Sequence, residues 1–263
     1  MSEHPKIFTP EYYQRLFDVE ERHWWSIGMR AIAARMLDQS LPGRRADFWI
    51  LDAGCGTGLT RAWLEAYARP ERIIGIDLAW LALEFCRRRS LAGLAQASIT
   101  GLPFVSDIFD LATCIDVLQH LPQDGSEKAA LDELHRVLRP GGRLLLRTNA
   151  QRWLRRSGNE HAEDHYHRYT LSEIIQKVTQ AGFVVERATH ANRLMSMADE
   201  VKRFLKPNPP RNGADHGLAI QLPKSKLWNA LLSYVMAAEA AYLAKPGRRF
   251  NKGHTLICLA RKP

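Results

Sequence analysis

No run of eighteen or more uninterrupted apolar residues occurs in the 263-residue sequence, which excludes a membrane-spanning helix of ordinary length. The start, MSEHPKIFTPEYYQ, lacks the charged-then-apolar layout of a secretory signal, so a cytoplasmic protein is expected. Cysteine is scarce. Cys55, Cys86, Cys114 and Cys258 lie far apart without a C-x-x-C pair, and three fall in apolar strand-like runs; they read as reduced core thiols rather than disulfides or zinc ligands. Internal repeats and low-complexity tracts are absent. The formal charge of +9 would suit nucleic acid, an anionic surface or an acidic substrate. Its basic residues are dispersed, however, among Arg87–Arg89, Arg152/Arg155/Arg156 and Arg248-Arg249, without aromatics at stacking spacing. A solvated basic surface is the simpler reading.

What the sequence does hold is alternation. With 46% hydrophobic residues the chain can bury a sizeable core, and from about 48 to 150 short apolar runs (FWILDA, RIIGID, DLATCID, RLLLRT) alternate with helical patterns. Parallel strands with helical crossovers follow, hence an α/β doubly wound sheet. The step RPGG at 139–142 is expected to close a helix and launch a strand. Thr170 and Glu173 have capping-box spacing and predict a helix over 171–181, leading into the strand FVVERAT. Beyond it lie the Pro-rich KPNPPRNG, an almost wholly apolar helix KLWNALLSYVMAAEAAYL and a last strand HTLICLA. The expected organisation is an N-terminal helical lid (1–45), a core (46–190 and 253–263), and a helical cap (191–252) inserted before the last strand.

The segment ILDAGCGTGLT carries the most chemistry. A strand ends in Asp52 and turns through Gly54, Gly56 and Gly58 into a helix, so backbone amides can approach a ligand. The G-x-G-x-G spacing differs from the dinucleotide pattern, and Asp52 would repel a pyrophosphate but attract an ammonium group. Asp77, ending the second strand, can take both hydroxyls of a ribose. A nucleoside with a cationic amino-acid tail satisfies both carboxylates.

With LDAGCGTG, IGIDLA, LPFVSDIFDLATCIDVLQHLP and ELHRVLRPGGRLLL in this order and spacing, the chain resembles the class I S-adenosylmethionine-dependent methyltransferases. The resemblance implies a Rossmann-like, seven-stranded, mostly parallel sheet and S-adenosylmethionine as cofactor. It implies that Gly54 and Gly56 cradle the cofactor and Asp52 faces its methionine end. Asp77 would bind the ribose, the backbone around Ile115 the amino group, and Leu78 and Ile99 would sandwich the adenine. Ser98 stands where relatives usually carry an adenine-binding aspartate, so a weaker neutral hydrogen bond is expected there. Gln119 replaces a frequent glutamate, and His120 beside it either faces the reacting methyl or is structural.

RHWWSIGMR, HRYTLSEII and GHTLICLARKP resemble a bacterial small-molecule branch with an HWW lid, which brings His23, Trp24 and Trp25 to the substrate side. Methyl transfer is an in-line displacement, and a hydroxyl or carbon acceptor also needs a base. EHAEDHYHRYT, residues 160–170, offers His165, His167 and Tyr169 as candidate catalytic groups and Arg168 as a substrate clamp. Arg168 and Tyr169 alternatively pin the loop to the sheet. The same stretch has metal-like spacing, yet the displacement needs no metal and none is expected. Trp24, Trp25, Trp153 and the cap residues Leu227, Trp228, Leu231, Leu232, Val235 and Tyr242 either line an apolar acceptor pocket or are ordinary core. Since the cap helix is apolar on nearly all sides, burial, a homodimer contact or a peripheral membrane contact is expected, with its single charge, Glu239, a solvent marker or a buried functional group. The expected function is methylation of a hydrophobic small molecule on O, N or C, with no nucleic-acid partner. An RNA methyltransferase and a non-catalytic cofactor-binding scaffold are the alternatives.

Overall fold

The computed structural model describes residues 9–41, 47–151, 167–205, 223 and 225–263. Short apolar runs give seven strands: β1 (Ile50–Ala53), β2 (Ile73–Asp77), β3 (Leu94–Gln96), β4 (Phe109–Ile115), β5 (Leu138–Asn149), β6 (Val184–Ala191) and β7 (Thr255–Arg261). They form one sheet in the order β3-β2-β1-β4-β5-β7-β6. β7 is antiparallel to both its neighbours, and the other pairings are parallel. Every residue of β1 is buried, as a central strand covered on both faces requires. The order turns back at the β1–β4 pair, where the carboxyl ends of the strands open a crevice.

The helices are α1 (Pro10–Val19), α2 (Trp24–Ser40), α3 (Leu59–Trp63), α4 (Trp80–Arg88), α5 (Ser126–Val137), α6 (Leu171–Gln180), α7 (Arg193–Leu205) and α8 (Lys226–Leu243). On one face of the sheet, Leu131 and Leu134 of α5 and Ile174 and Val178 of α6 pack against Leu144 and Leu146 of β5. On the other, Met29, Ile32 and Met36 of α2 join Met236 and Leu243 of α8 over Leu145 and Ile257. Each such buried side chain contributes about 1.5–3 kcal/mol over an exposed one.

Local signals set the helix ends. The Thr9 hydroxyl accepts from Tyr12 N at 3.3 Å, with Pro10 in the first turn of α1. Thr170 and Glu173 form the complete capping box of α6, which starts at Leu171 as the spacing predicts. The N-terminus of α2 has no cap of its own; Asn229 of α8 supplies one, accepting from Trp24 N at 3.2 Å and donating to Arg22 O at 2.9 Å. Gly28 makes this pairing possible, since a Cβ there would lie 2.3 Å from Met236 Cβ.

Two elements differ from the sequence reading. RPGG lies within the start of β5 rather than before it, with Gly141 at φ +80° and a register shift between Phe109 and Leu111. The apolar helix α8 is two-faced: Met236, Ala240 and Leu243 are buried against α2, while Leu227, Leu231 and Tyr234 are exposed. Its Glu239 is buried and accepts the backbone N–H groups of Asn192 and Arg193, the latter at 2.9 Å, so it satisfies the first amides of α7. No described helix is long and apolar enough to cross a membrane.

Candidate active site

A cavity of about 490 Å³ opens at the carboxyl ends of β1, β2 and β4. One arm is lined by Asp77, Leu78, Ser98 and Ile99; the middle by Gly54–Thr57; the other by Trp25, His120, Arg147, Asn149, Arg168 and His254.

The first arm follows from the ends of the strands. Asp77 closes β2, and its carboxylate accepts from Gly56 N and Ala79 N, each at 2.9 Å, fixing the glycine loop against the next turn. Burial raises the affinity of this carboxyl for its proton, and the backbone amides oppose that. Leu78 is 68% exposed on the wall, an apolar face offered to whatever enters, with Ile99 also on the wall. The Ser98 hydroxyl bonds Thr100 Oγ1 at 2.8 Å.

In the middle, Gly54, Gly56 and Gly58 all have positive φ. A Cβ at Gly54 would strike Val117 Cγ2 at 2.2 Å, whereas one at Gly56 would enter open space, the space a ligand would use. Asp52 stands behind this loop and is not among the cavity's lining residues. It is fully buried, its Oδ1 accepts from Thr113 Oγ1 at 2.7 Å, and its Oδ2 has no hydrogen-bond partner. Desolvation raises its pKa from the usual 3.8 to about 7.

The front of the chain closes over the loop. Glu20, between α1 and α2, accepts from the Thr57 hydroxyl and from Arg89 Nη2 at 2.8 Å, while Arg89 Nε donates to Thr57 O at 2.9 Å. Phe17 and Tyr13 pack on Phe85 of α4. Thus part of the Arg87–Arg89 run fastens α1 to the glycine loop, where the sequence suggested only a solvated surface. Cys55 and Cys86, distant in sequence, meet here with their sulfurs 3.7 Å apart; all four cysteines are buried and free.

The acceptor-side expectations divide. Trp25, Arg168 and His120 line the cavity, as do Gly54, Gly56, Asp77, Leu78, Ser98, Ile99 and Ile115, the residues expected on the cofactor side. His23 and Trp24 do not; His23 is buried as the N-cap residue of α2. Trp228 is 60% exposed and off the cavity, because the inner face of α8 is spent on α2. His167 is held outside by Gln123 against its Nδ1 and by its own N–H to Gln119 O at 3.0 Å. Tyr169 is fully buried, donating to Leu118 O at 3.2 Å and to the Glu127 carboxylate, so it pins the loop. His165 and Trp153 lie outside the described residues. No cluster of metal-ligating side chains occurs among the described residues.

Missed by the sequence reading are Arg30 and Arg147. Arg147 forms two bonds to Asp116, at 3.1 and 2.6 Å, and its guanidinium lies 4.9 Å from the Trp25 ring centroid. It is legible only as one cation in LLLRTN, with nothing local to mark it.

A glycine loop, a carboxylate at the end of β2 and an apolar wall at the β1–β4 switch point coincide with a match of residues 51–146 to the family model described as a methyltransferase domain. This chain carries a class I S-adenosylmethionine-dependent methyltransferase domain. Similar proteins include a malonyl-[acyl-carrier protein] O-methyltransferase of Coxiella burnetii, 28% identical over 70% of this chain and 64% of that one. A fatty-acid O-methyltransferase of Mycolicibacterium smegmatis is 33% identical over 49% and 45%. A tRNA (carboxymethyluridine(34)-5-O)-methyltransferase of Arabidopsis thaliana is 32% identical over 52% and 33%. The methyltransferase chain thus spans less than two thirds of each of these relatives. Among solved folds, a chain of the complex between the Haloferax volcanii Trm112 methyltransferase activator and a methyltransferase aligns over 100% of both chains, at TM-score 0.60 and 16% identity. These findings correct the expected partners: with a tRNA-modifying relative and an activator-bound fold among the similar proteins, a small-molecule partner with no nucleic acid is no longer the expectation.

Proposed function

We propose that this methyltransferase domain transfers the methyl group of S-adenosylmethionine to a hydrophobic small molecule seated in the arm of the cavity between Trp25 and Arg168. The carrying observation is the continuity of one cavity from Leu78 and Ile99, past the glycine loop, to Trp25, His120 and Arg168. Leu78 and Ile99 would hold the adenine, Asp77 the ribose, and Gly54, Gly56 and the backbone at Ile115 the amino-acid end. Asp52 would act from behind the loop, as a buried carboxyl whose proton is easily displaced by positive charge. When bound, the cofactor supplies a methyl group on a cationic sulfur. Trp25 would give the acceptor an apolar wall, and α1, fastened through Glu20 and Arg89, would exclude water from the loop. His120, whose burial weakens its hold on a proton, stays neutral near pH 7 and can accept a hydrogen bond. A cytoplasmic setting belongs to this reading, supported by four buried free thiols.

A second reading, an RNA acceptor, is favoured by the tRNA-modifying relative and the charge of +9. Incubation with methyl-labelled S-adenosylmethionine and either fractionated host metabolites or total tRNA separates the two. Label in a small-molecule fraction is the expected result, and label in tRNA alone would replace the first reading with the second.

A further inference from the structure

Three tyrosines are buried among the described residues, Tyr13, Tyr67 and Tyr169, and two of them spend their hydroxyls on the protein. Tyr67 bonds Ala34 O and Asp38, and Tyr169 bonds Leu118 O and Glu127. Tyr13 of α1 is only 5% exposed, yet its hydroxyl has no hydrogen-bond partner among the described residues. It also lines the cavity. A buried phenol ordinarily finds a partner, and one that faces a cavity without any is placed for what fills that cavity.

The lie of α1 decides which part of a ligand this hydroxyl meets. Tyr13, Leu16 and the C-cap residue Glu20 line the cavity at the spacing of one helical face. At one end Glu20 binds the Thr57 hydroxyl of the glycine loop; from there back to Tyr13 the helix spans about 10 Å. At the other end the Tyr13 ring stacks on Phe85, with centroids 6.1 Å apart. Tyr13 clusters there with Ala82, Phe85 and Ala79, and the Ala79 N–H is one of the two amides that hold the Asp77 carboxylate. Thus α1 runs over the nucleoside half of the cavity and brings a phenol to the Asp77 end. Burial, and after it the Asp77 charge, raise the Tyr13 phenol above its ordinary range, which keeps it a hydrogen-bond donor.

The two polar groups are complementary to a third. Asp77 only accepts: one carboxylate oxygen takes Gly56 N and the other Ala79 N, and each keeps a further lone pair. Tyr13 has a proton to give. A sugar hydroxyl both donates and accepts, so one seated between them satisfies both. From these placements we infer that Tyr13 is a cofactor-binding residue: a ribose hydroxyl donates to Asp77 and accepts from the Tyr13 phenol, with α1 closing over the nucleoside. This deepens the proposed function and rests on it, since there Asp77 takes the ribose. A ribose phosphorylated at that hydroxyl would bring a second negative charge to Asp77 and is rejected.

Calorimetry on the full chain with S-adenosylhomocysteine and its 2′-deoxy and 3′-deoxy analogues tests the inference. Tyr13→Phe keeps the ring on Phe85 and removes only the hydroxyl. Its affinity for S-adenosylhomocysteine should fall about three- to tenfold, the worth of one neutral hydrogen bond. The analogue that lacks the bridging hydroxyl should bind parent and variant within about twofold of each other, because its contact with Tyr13 is already gone. Undiminished S-adenosylhomocysteine affinity in Tyr13→Phe would overturn the inference, as would a loss that persists in full with both analogues. A parent that binds both analogues as tightly as S-adenosylhomocysteine would instead overturn the Asp77–ribose assignment, and failure of S-adenosylhomocysteine itself to bind would overturn the underlying methyltransferase reading.

Discussion

Replacing Asp52 by Asn should change stability in opposite directions at low and high pH. Burial raises the carboxyl from 3.8 to about 7, so at pH 8 the folded chain holds a charge that its surroundings resist by roughly 4 kcal/mol, at 1.36 kcal/mol per tenfold. A pKa higher in the folded than in the unfolded state makes this contribution fully present below about pH 4 and lost as pH rises through about 7. Asn keeps the acceptor for Thr113 Oγ1, now at 2.7 Å, but its amide would point where Oδ2 has no partner, costing about 1–3 kcal/mol. The variant should therefore be less stable than the parent by about 1–3 kcal/mol below pH 4, shifted toward parity by about 1.6 kcal/mol at pH 5, and more stable than the parent by about 1–3 kcal/mol at pH 8. Urea unfolding at pH 5 and pH 8 measures this. A stability difference that is the same at pH 5 and pH 8 would refute the placement of a neutral, desolvated carboxyl behind the glycine loop.

Glu20→Ala takes from Arg89, of which only 9% is exposed, one of its two carboxylate partners, leaving Glu21, and should cost about 1.5–3 kcal/mol, read as a fall in Tm and as weaker cofactor binding through the released Thr57. Tyr169→Phe removes a buried hydroxyl between Leu118 O and Glu127; about 1–3 kcal/mol of stability should go while the pH profile of transfer stays put, and an altered profile would restore Tyr169 as a catalytic group. Gly54→Ala, forcing a Cβ to within 2.2 Å of Val117 at φ +85°, should abolish cofactor binding measured by calorimetry in protein that remains folded by circular dichroism.

Some features were legible because their determinants are local. The glycine loop, Asp77 and the capping box at Thr170 each combine residue types with fixed spacing, and hydrogen bonds two to twenty-one residues long realise them. His167 and Tyr169 were legible as a capped segment, but not as groups turned from the cavity, since Gln123 and Glu127, which hold them, approach from more than forty residues away. Trp228 read as a pocket residue for the same reason: whether α8 turns that face inward depends on Gly28 of α2 admitting Met236 instead.

By itself the sequence determined the alternating α/β order, the glycine loop with Asp77 and the start of α6, because periodicity, glycine conformation and capping act within a few residues. Only the tertiary structure decided which groups meet across the cavity. Arg30 of α2, Arg147 near the end of β5 and Arg168 in the segment before α6 lie far apart in the chain, and packing brings them to one cavity and pairs Arg147 with Asp116.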